Sequence, residues 1–339
     1  MISHTLYNNH GNTWLAFGQD PEKPENIIDT NQIVITSGDQ AIILDPGGVE
    51  IFPAMLAALT DKVPIENVKH LFMSHQDPDI GSSLPLWRQV CNADVEIHLS
   101  WLWTSFVGHF DAEANLSPIP DQGQTIKLGS VSLELIPAHY LHSSGNFSVY
   151  DAAARILWSG DIGAALLPPG KQSSFFVEDF DAHIQYIEGF HKRWMGSPQA
   201  RDAWINRVSK LDIDILTPQH GLFFRGADVS RFLDWFGSLE IGSGIAAMGT
   251  GHSSPMPTTV DIQEIPATAD IQKMPAEADI QEMPAAVDIQ EKAEPPVIKT
   301  AKPKPAVVPA NPVVEPAPQE NDAVLPEFDA SVGGYVFPE

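Results

Sequence analysis

Four short apolar segments of this chain end abruptly in turns that carry histidine or aspartate. In the first, residues 68–73 stop at Ser74, and His75, Asp77 and Asp79 follow at every second position. An imidazole and two carboxylates this close together suit a hard-to-borderline ion such as iron, manganese or zinc. The same residues also fit an Asx-rich turn after a strand, with the histidine merely exposed. The later turns therefore decide between the two interpretations.

Three further apolar segments end in the same way. Residues 135–138 lead to His139 and His142, residues 156–160 lead to Asp161, and residues 213–218 lead to His220. Loops at strand ends are where a rigid scaffold usually displays its functional side chains. A single histidine after a strand is more often an ordinary surface or core residue. Four such turns in one chain favour a metal site.

The apolar periodicity predicts an α/β protein in which groups of strands alternate with helices. Such an order suits sheets that pack between helical layers. Helices are predicted at 51–59, 81–90 (with Ser82 or Ser83 as the cap), 180–194, 199–211 and 229–239. A single strand is predicted at 2–17, and strands and hairpins are predicted at 32–44, 68–73, 93–99, 126–136, 147–158 and 213–216.

The distribution of aromatic residues predicts where the folded part ends. All eight tryptophans precede residue 245, whereas Phe328, Tyr335 and Phe337 are the only aromatics after residue 250. We therefore predict one globular domain over 1–245 and a disordered tail after it.

The tail itself has two predicted parts. Residues 246–327 are a linker that contains nine-residue Asp-Ile-Gln repeats (258–292) and then a spacer rich in Pro, Ala and Val. One proline in most repeats breaks any lasting helix. Residues 328–339, where aromatics return, are either a peptide that docks on a partner or a frayed end.

Charge and cysteine content exclude several classes of partner. The net charge of -25 opposes binding to nucleic acid or to an anionic membrane surface. A single cysteine, Cys91, allows no disulfide within the chain, which suits a reducing compartment. The N-terminal segment has neither a basic nor an apolar region, so we expect no signal peptide, and no apolar stretch is long enough to span a membrane. We expect a cytoplasmic protein.

The four turns resemble those of the metallo-β-lactamase superfamily in order and spacing. Residues 75–80 correspond to its first motif, His-x-His-x-Asp-His, although only the first histidine and the aspartate agree. Residues 142–146, 159–161 and 218–221 match its His-Ser/Thr-x-Gly-Asn/Ser, Ser-Gly-Asp and Pro-x-His-Gly turns. The resemblance covers about residues 5–240. It implies a four-layer αββα sandwich with a dinuclear site at one edge of its two sheets.

The departures from that pattern indicate a branch of the superfamily. Asp77 replaces the second histidine of the zinc hydrolases, and an oxygen ligand there favours iron, with zinc or manganese as alternatives. The chain thus resembles the di-iron branch, which includes flavodiiron proteins and oxygen-binding di-iron proteins. The latter are closer because no flavodoxin-like domain follows. The ligands that this resemblance implies are His75, Asp77 and His142 for one iron, Asp79 and His220 for the other, and Asp161 as the bridge.

Ile80 is a second departure, because the superfamily motif ends in a histidine there. Either the second metal has an open position for a small ligand such as dioxygen, or that metal binds weakly or not at all. His139 and Tyr140 are candidates for a supporting role near the metals, and polar packing is the alternative for His139. Trp101, Trp103, Phe106, His109 and Tyr140 either line an apolar pocket or are core aromatics. The histidines at 4, 10, 70, 98, 183, 191 and 252 match no motif and are expected to be structural or surface residues.

Three functions fit these features. The first is a non-haem di-iron protein that binds or reduces dioxygen or a related gas, as a sensor or as an oxidoreductase. It would need an external electron donor or a signalling partner reached through the tail, and it would be a monomer or a homodimer. The second is a metal-dependent hydrolase of an ester, lactone or phosphodiester, which Asp77 and Ile80 oppose. The third is a scaffold that has lost its metal, which the retention of six ligand-type residues opposes.

Overall fold

The first sheet has seven strands, hydrogen-bonded in chain order in the computed structural model. They are Ile2–Asn9 (β1), Asn12–Gly18 (β2), Gln32–Ser37 (β3), Gln40–Leu44 (β4), Val68–Phe72 (β5), Glu96–Ser100 (β6) and Asn115–Ile119 (β7). The pairs from β1 to β4 are antiparallel, and those from β4 to β7 are parallel. The predicted single strand over 2–17 was wrong. His10 and Gly11, both with positive φ, turn the chain there and make a hairpin.

The second sheet has six strands in the order β13-β12-β11-β10-β9-β8. They are Thr125–Leu128 (β8), Val131–Pro137 (β9), Phe147–Asp151 (β10), Ile156–Gly160 (β11), Ile215–Pro218 (β12) and Phe224–Arg225 (β13). Because β10 is antiparallel to both of its neighbours, β9 and β11 run in the same direction. β12 is parallel to β11. The carboxyl ends of β9, β11 and β12 therefore reach the same edge of the sheet.

Helices cover the outer faces of the sheets. They are Phe52–Thr60 (α1), Pro78–Gly81 (α2), Leu84–Val90 (α3), Thr104–Val107 (α4), Phe180–Trp194 (α5), Pro198–Val208 (α6), Ala227–Ser238 (α7) and Ser243–Gly249 (α8). The predicted helix over 81–90 corresponds to α3, which begins three residues later, and Gly81 ends the preceding helix α2. Ser83 is the N-cap residue of α3, as predicted, but its side chain makes no capping bond, because Ser83 Oγ donates to the Gly47 carbonyl at 2.5 Å. Ser82 Oγ accepts from the Val49 amide at 3.1 Å.

Three apolar layers lie between these elements. Trp14, Phe72 and Trp158 belong to the layer between the two sheets. A second layer packs the first sheet against α1 and α3, and a third packs the second sheet against α5, α6 and α7. Three such layers separate four layers of secondary structure, so the predicted αββα arrangement is confirmed. Among the described helices, none is both long enough and apolar enough to cross a membrane.

The structure describes residues 1–249, except 21, 24–26, 93 and 169–173, together with 327–329 and 334–336. It has two compact units, Met1–Asp261 and Ile262–Glu339. In the second unit, Glu327–Asp329 (β14) pairs antiparallel with Gly334–Val336 (β15), with Phe328 opposite Tyr335. The predicted repeats at 258–292 and the Pro-rich spacer lie outside the described residues, and the predicted docking peptide 328–339 does so in part.

Candidate metal centre

Strand order brings the predicted metal ligands to one edge of the sandwich. His75 follows β5, in the parallel half of the first sheet, Asp77 is the N-cap residue of α2, and Asp79 lies in its first turn. In the second sheet, Asp161 immediately follows β11 and His220 follows β12. His142 lies in the loop after β9. Since β9, β11 and β12 point the same way, their turns meet the β5 turn.

One half of the cluster contains His75, Asp77 and His142, whose ligand atoms lie close enough together to hold a metal ion. His142 Nε2 is 2.8 Å from Asp77 Oδ2 and 3.5 Å from Asp161 Oδ2. His75 Nε2 is 3.4 Å from Asp77 Oδ2 and 3.9 Å from Asp161 Oδ2. Four donor atoms from four separate side chains therefore enclose one small volume.

The other half contains Asp79 and His220. His220 Nε2 lies 3.4 Å from Asp79 Oδ2 and 3.4 Å from Asp161 Oδ1. Asp161 thus presents one carboxylate oxygen to each half of the cluster, as a bridging carboxylate would. Gln219 Nε2 donates to Asp79 Oδ2 at 3.1 Å and positions that carboxylate. Sequence reasoning missed Gln219, because it occupies the variable position of its motif.

Hydrogen bonds at Nδ1 orient two of the imidazoles. His220 Nδ1 donates to the Asp29 carbonyl at 2.8 Å, which leaves the lone pair on Nε2. His75 Nδ1 lies 2.9 Å from Ser74 Oγ. Ser74 Oγ donates its own proton to Asp45 Oδ2 at 2.7 Å, so it accepts from His75 Nδ1. Both rings therefore turn Nε2 toward the carboxylates of the cluster, where loss of its proton would free a lone pair for a metal ion.

Asp45 is the support of this arrangement that sequence reasoning missed. It is fully buried and also accepts from the Ser74 amide at 2.6 Å and from Trp158 Nε1 at 3.0 Å. Burial raises the pKa of Asp45 to about 6. Its signal in the sequence is the one used for the ligands, an aspartate directly after an apolar strand. The residues that follow, Pro46, Gly47 and Gly48, are typical of a turn and give this aspartate a second explanation.

The acidic groups of the cluster attract positive charge strongly. Burial opposes protonation of the two imidazoles, but neighbouring carboxylates, chiefly Asp161, raise the pKa of His75 and of His220 to about 9. Although burial works against ionisation, contacts with the histidines hold the pKa of Asp77 and of Asp161 far below the usual range. Burial raises the pKa of Asp79. The metal-free cluster thus takes up protons where cations would otherwise lie.

The residues present fit a pair of metal ions. Asp161 Oδ1 is buried and has no hydrogen-bond partner among the described residues, so its lone pairs are left for a cation. The donor set is three imidazoles and three carboxylates. It is richer in oxygen than the sites of zinc hydrolases, and this composition favours divalent iron.

Two glycines let the ligand loops approach one another. A Cβ at Gly145 would lie 2.5 Å from Ser100 Oγ and 2.8 Å from Trp103 Nε1. Gly160 has φ +57°, and a Cβ there would lie 3.1 Å from Ser74 Oγ. His142 itself adopts φ 71°, a left-handed conformation that is uncommon for histidine. The strain in this loop is therefore retained at a ligand position.

The remaining candidates lie around the cluster. Ile80 is fully buried in the apolar layer between the first sheet and its helices. His139 Nε2 donates to the Asp121 carbonyl at 2.7 Å, and its ring packs on Phe147 at 5.0 Å, which is the polar packing considered as one alternative. Tyr140 and Phe106 are 64% and 62% exposed, so neither is a core aromatic.

Two aromatic residues that were not predicted flank a ligand. The rings of Trp194 and Phe190 lie 5.2 and 6.0 Å from the His142 ring. Both belong to the last turns of α5, at the carboxyl end of an amphipathic helix. In the sequence they look like ordinary core positions of that helix. Their relation to His142 depends on tertiary packing.

The sequence matches the model of a protein family described as the ODP family of beta lactamases, over residues 28–221. That match covers more than half of the chain. No protein with a curated description matches the sequence.

Solved structures with the same fold include two of a chemotaxis sensor called ODP. Its peroxy di-iron species is 33% identical, with a TM-score of 0.65, over 73% of this chain and 99% of that one. Its apo state, from T. denticola, is 34% identical, with a TM-score of 0.66, over 73% and 98%. A mutant flavo di-iron protein from Thermotoga maritima is 19% identical, with a TM-score of 0.60, over 70% and 60%. This last likeness is one of fold alone, and the chain spans about 60% of that protein's length.

Proposed function

Because the chain belongs to the ODP family of β-lactamase-like proteins, we propose that it is a di-iron protein that binds dioxygen or a related diatomic gas and acts as a sensor. The observation that carries this proposal is the position of Asp161 between two sets of ligand atoms. Relatives at 33–34% identity are described as a chemotaxis sensor, one of them as a peroxy di-iron species.

The six side chains divide into two sets in this proposal. His75, Asp77 and His142 hold one iron, Asp79 and His220 hold the other, and Asp161 belongs to both. The separations of 2.8 to 3.9 Å between the ligand atoms support this division. When bound, the two irons would supply electrons and coordination positions for a diatomic gas.

The charges of these residues support a centre that can change its oxidation state. Asp77, Asp79 and Asp161 together carry three negative charges when ionised, and the three imidazoles are neutral as ligands. Two divalent cations therefore leave an excess of one positive charge. Oxidation of the irons raises that positive charge. The buried carboxylates lower the free energy of the oxidised state, because opposite charges attract more strongly in a low dielectric.

Exposure of the carboxylates indicates the side from which a gas reaches the centre. The Asp77 and Asp79 side chains are 31% and 23% exposed, whereas those of His75 and Asp161 are 1% and 3% exposed. The Trp194 ring flanks His142 and offers no ligand atom to a metal, and Ile80 offers none either. The histidines and Asp161 therefore form the buried side of the site, and Asp77 and Asp79 form its solvent-exposed side.

A sensor of this kind needs partners. We infer an external electron donor that reduces the irons and a signalling protein that responds to their state. The 328–339 segment is the proposed contact with that protein. We further propose that the chain works in the cytoplasm, as a monomer or homodimer. The net charge of -25 supports an aqueous, membrane-free setting.

The test is to purify the protein, measure its metal content and record its absorption while the reduced protein meets air. We expect about two irons per chain and a new charge-transfer band when oxygen binds. Two zinc ions without a spectral change would favour a hydrolase and contradict the proposal. A protein with no metal would leave only a scaffold.

A further inference from the structure

A second group of ligand-type side chains lies on two neighbouring strands, apart from the candidate iron site. His70 lies on β5, and Glu96 and His98 lie on β6. The two strands are parallel, with His70 opposite Glu96 in the register. Residues two apart on a strand share a face, so the side chains of Glu96 and His98 lie on the same face of the sheet as that of His70. The pairing register therefore creates a cluster that is not visible as a sequence motif.

The ligand atoms of this group converge on one point. His70 Nδ1 lies 3.1 Å from His98 Nε2 and 3.4 Å from Glu96 Oε2. The third distance, from His98 Nε2 to Glu96 Oε2, is 3.8 Å. Tetrahedral bonds of about 2.0–2.1 Å to one ion place ligand atoms about 3.3 Å apart. The three distances bracket that value, and they fall within the 2.8 to 3.9 Å that separate the candidate iron ligands.

The protonation of the two histidines leaves lone pairs available. Burial lowers the pKa of His70, and it lowers the pKa of His98 to about 4, so both rings are neutral near pH 7. A hydrogen bond between His70 Nδ1 and His98 Nε2 needs only one proton, so one of these two nitrogens keeps a lone pair. Within the described part of the chain, the polar contacts of the His98 ring are all at Nε2, since its buried Nδ1 has no hydrogen-bond partner.

The group is accessible to a dissolved ion. The Glu96 side chain is 40% exposed and that of His70 is 17% exposed, whereas His98 closes the inner side at 6%. A cavity of about 260 Å³ adjoins the group, with Lys69, Asp94 and Asn115 among its walls. A water molecule or a carboxylate from this cavity can complete the coordination.

We propose that His70, Glu96 and His98 form a third metal site, which binds one divalent transition ion of the zinc class. Two imidazoles and one carboxylate are a donor set that zinc accepts, with water in the fourth position. The ion would join β5 to β6, the strands that lead to His75 and Ser100. Its binding would therefore stabilise the sheet next to the candidate iron site without using any of the six proposed iron ligands.

The test uses the full-length, iron-loaded protein and Co²⁺ as a coloured substitute for Zn²⁺. After addition of Co²⁺ and removal of the excess, elemental analysis counts iron and cobalt separately. We expect one cobalt per chain, with the visible bands of a tetrahedral ion, and unchanged iron. Binding of Zn²⁺ should displace the cobalt and raise the melting temperature by mass action.

Variants assign the site. Glu96→Gln and His70→Gln should weaken Co²⁺ binding by more than about 100-fold, because loss of even an outer-shell partner of a metal costs about 10–100-fold. Glu96 is partly exposed, so its variant is expected to fold even if a change at a buried histidine does not. The matched control is His10→Asn, since His10 is exposed and has φ 51°, a conformation that asparagine tolerates.

Two results would overturn the proposal. One is a wild-type protein that holds no cobalt beyond any that replaces iron. The other is cobalt binding by Glu96→Gln and His70→Gln that is as tight as in the wild type and the control. Because iron is counted in the same samples, failure of the third site is distinguishable from failure of the di-iron proposal.

Discussion

At the scale of single residues, Asp161 connects the two halves of the candidate iron site. Its two carboxylate oxygens face different histidines, His142 and His220, and its side chain is almost fully buried. The neighbouring imidazoles hold its pKa well below the usual range. Loss of the Asp161 carboxylate would therefore remove a ligand atom from both halves of the cluster at once.

We predict that Asp161→Ala loses dinuclear binding. The variant should hold one iron per chain or fewer, since each half loses an oxygen ligand at once. Elemental analysis of purified protein measures this, with Asp181→Ala as a control because the Asp181 side chain is 79% exposed and is not one of the six proposed ligands. Two tightly bound irons in Asp161→Ala would refute the bridging assignment.

The predicted ligands were recognisable because each follows an apolar strand and is flanked by small residues. His75 and His220 show this plainly. Asp45, which supports His75 through Ser74, has the same position after β4. It was not recognised because the residues that follow it are typical of an ordinary turn. His70 and His98 could not be recognised, because their proximity depends on the register between β5 and β6.

At the scale of elements, the loop between β9 and β10 determines the position of His142. Its backbone is tight: the Asn146 side chain donates to the Leu141 carbonyl at 2.8 Å, and His142 has a positive φ. Gly145 allows this loop to pack on Ser100, at the end of β6. The loop of the second sheet therefore contacts the end of β6 through the backbone of Gly145, where a larger side chain would not fit.

We predict that Gly145→Ala displaces this loop and weakens iron binding. The added Cβ would lie 2.5 Å from Ser100 Oγ, and such overpacking typically costs about 1–3 kcal/mol. Chemical denaturation and iron content measure the two effects. Gly189→Ala is the matched control, because Gly189 lies in α5, where an added Cβ would meet no atom within 4 Å and alanine favours a helix. Equal stability and iron content in both variants would contradict the prediction.

The order of most elements was predictable from periodicity, but some local turns were not. The run over 2–17 looks like one strand, although His10 and Gly11 divide it into two. β7 was not predicted, because Pro118 and the polar residues of Asn115–Ile119 weaken the strand pattern. The break between α2 and α3 arises where Ser83 bonds across to Gly47, a contact between distant parts of the chain.

At the scale of the whole molecule, the buried histidines make stability depend on pH. His183 and His191 are buried, and burial lowers the pKa of each to about 4. The unfolded chain protonates both near pH 6.5, so between pH 6.5 and 4 it binds more protons than the folded chain. Stability contributed by the neutral histidines is therefore complete above pH 6.5 and is lost as the pH falls toward 4.

We predict that His183→Gln reduces this acid sensitivity in the metal-free protein. Between pH 6.5 and 4.5, the free energy of unfolding should fall less steeply in the variant, by up to about 1.4 kcal/mol per pH unit. Urea denaturation at a series of pH values measures the slopes. Parallel curves for the two proteins would show that His183 is protonated equally in the folded and unfolded states.

The tail makes a separate prediction for the whole chain. If residues 328–339 are a docking peptide, their deletion should remove the signalling partner in a pull-down and leave the iron content of the first unit unchanged. Retention of every partner by the shortened protein would exclude the docking role. Replacing the aromatics Tyr335 and Phe337 by serine tests the same point without changing the length of the chain.

The most direct test of the di-iron assignment is anomalous X-ray scattering from crystals of the iron-loaded protein, measured above and below the iron edge. We predict two iron peaks on opposite sides of the Asp161 carboxylate, one beside His75, Asp77 and His142 and the other beside Asp79 and His220. A single peak, peaks elsewhere, or scattering only at the zinc edge would contradict the assignment of a di-iron centre to these six residues.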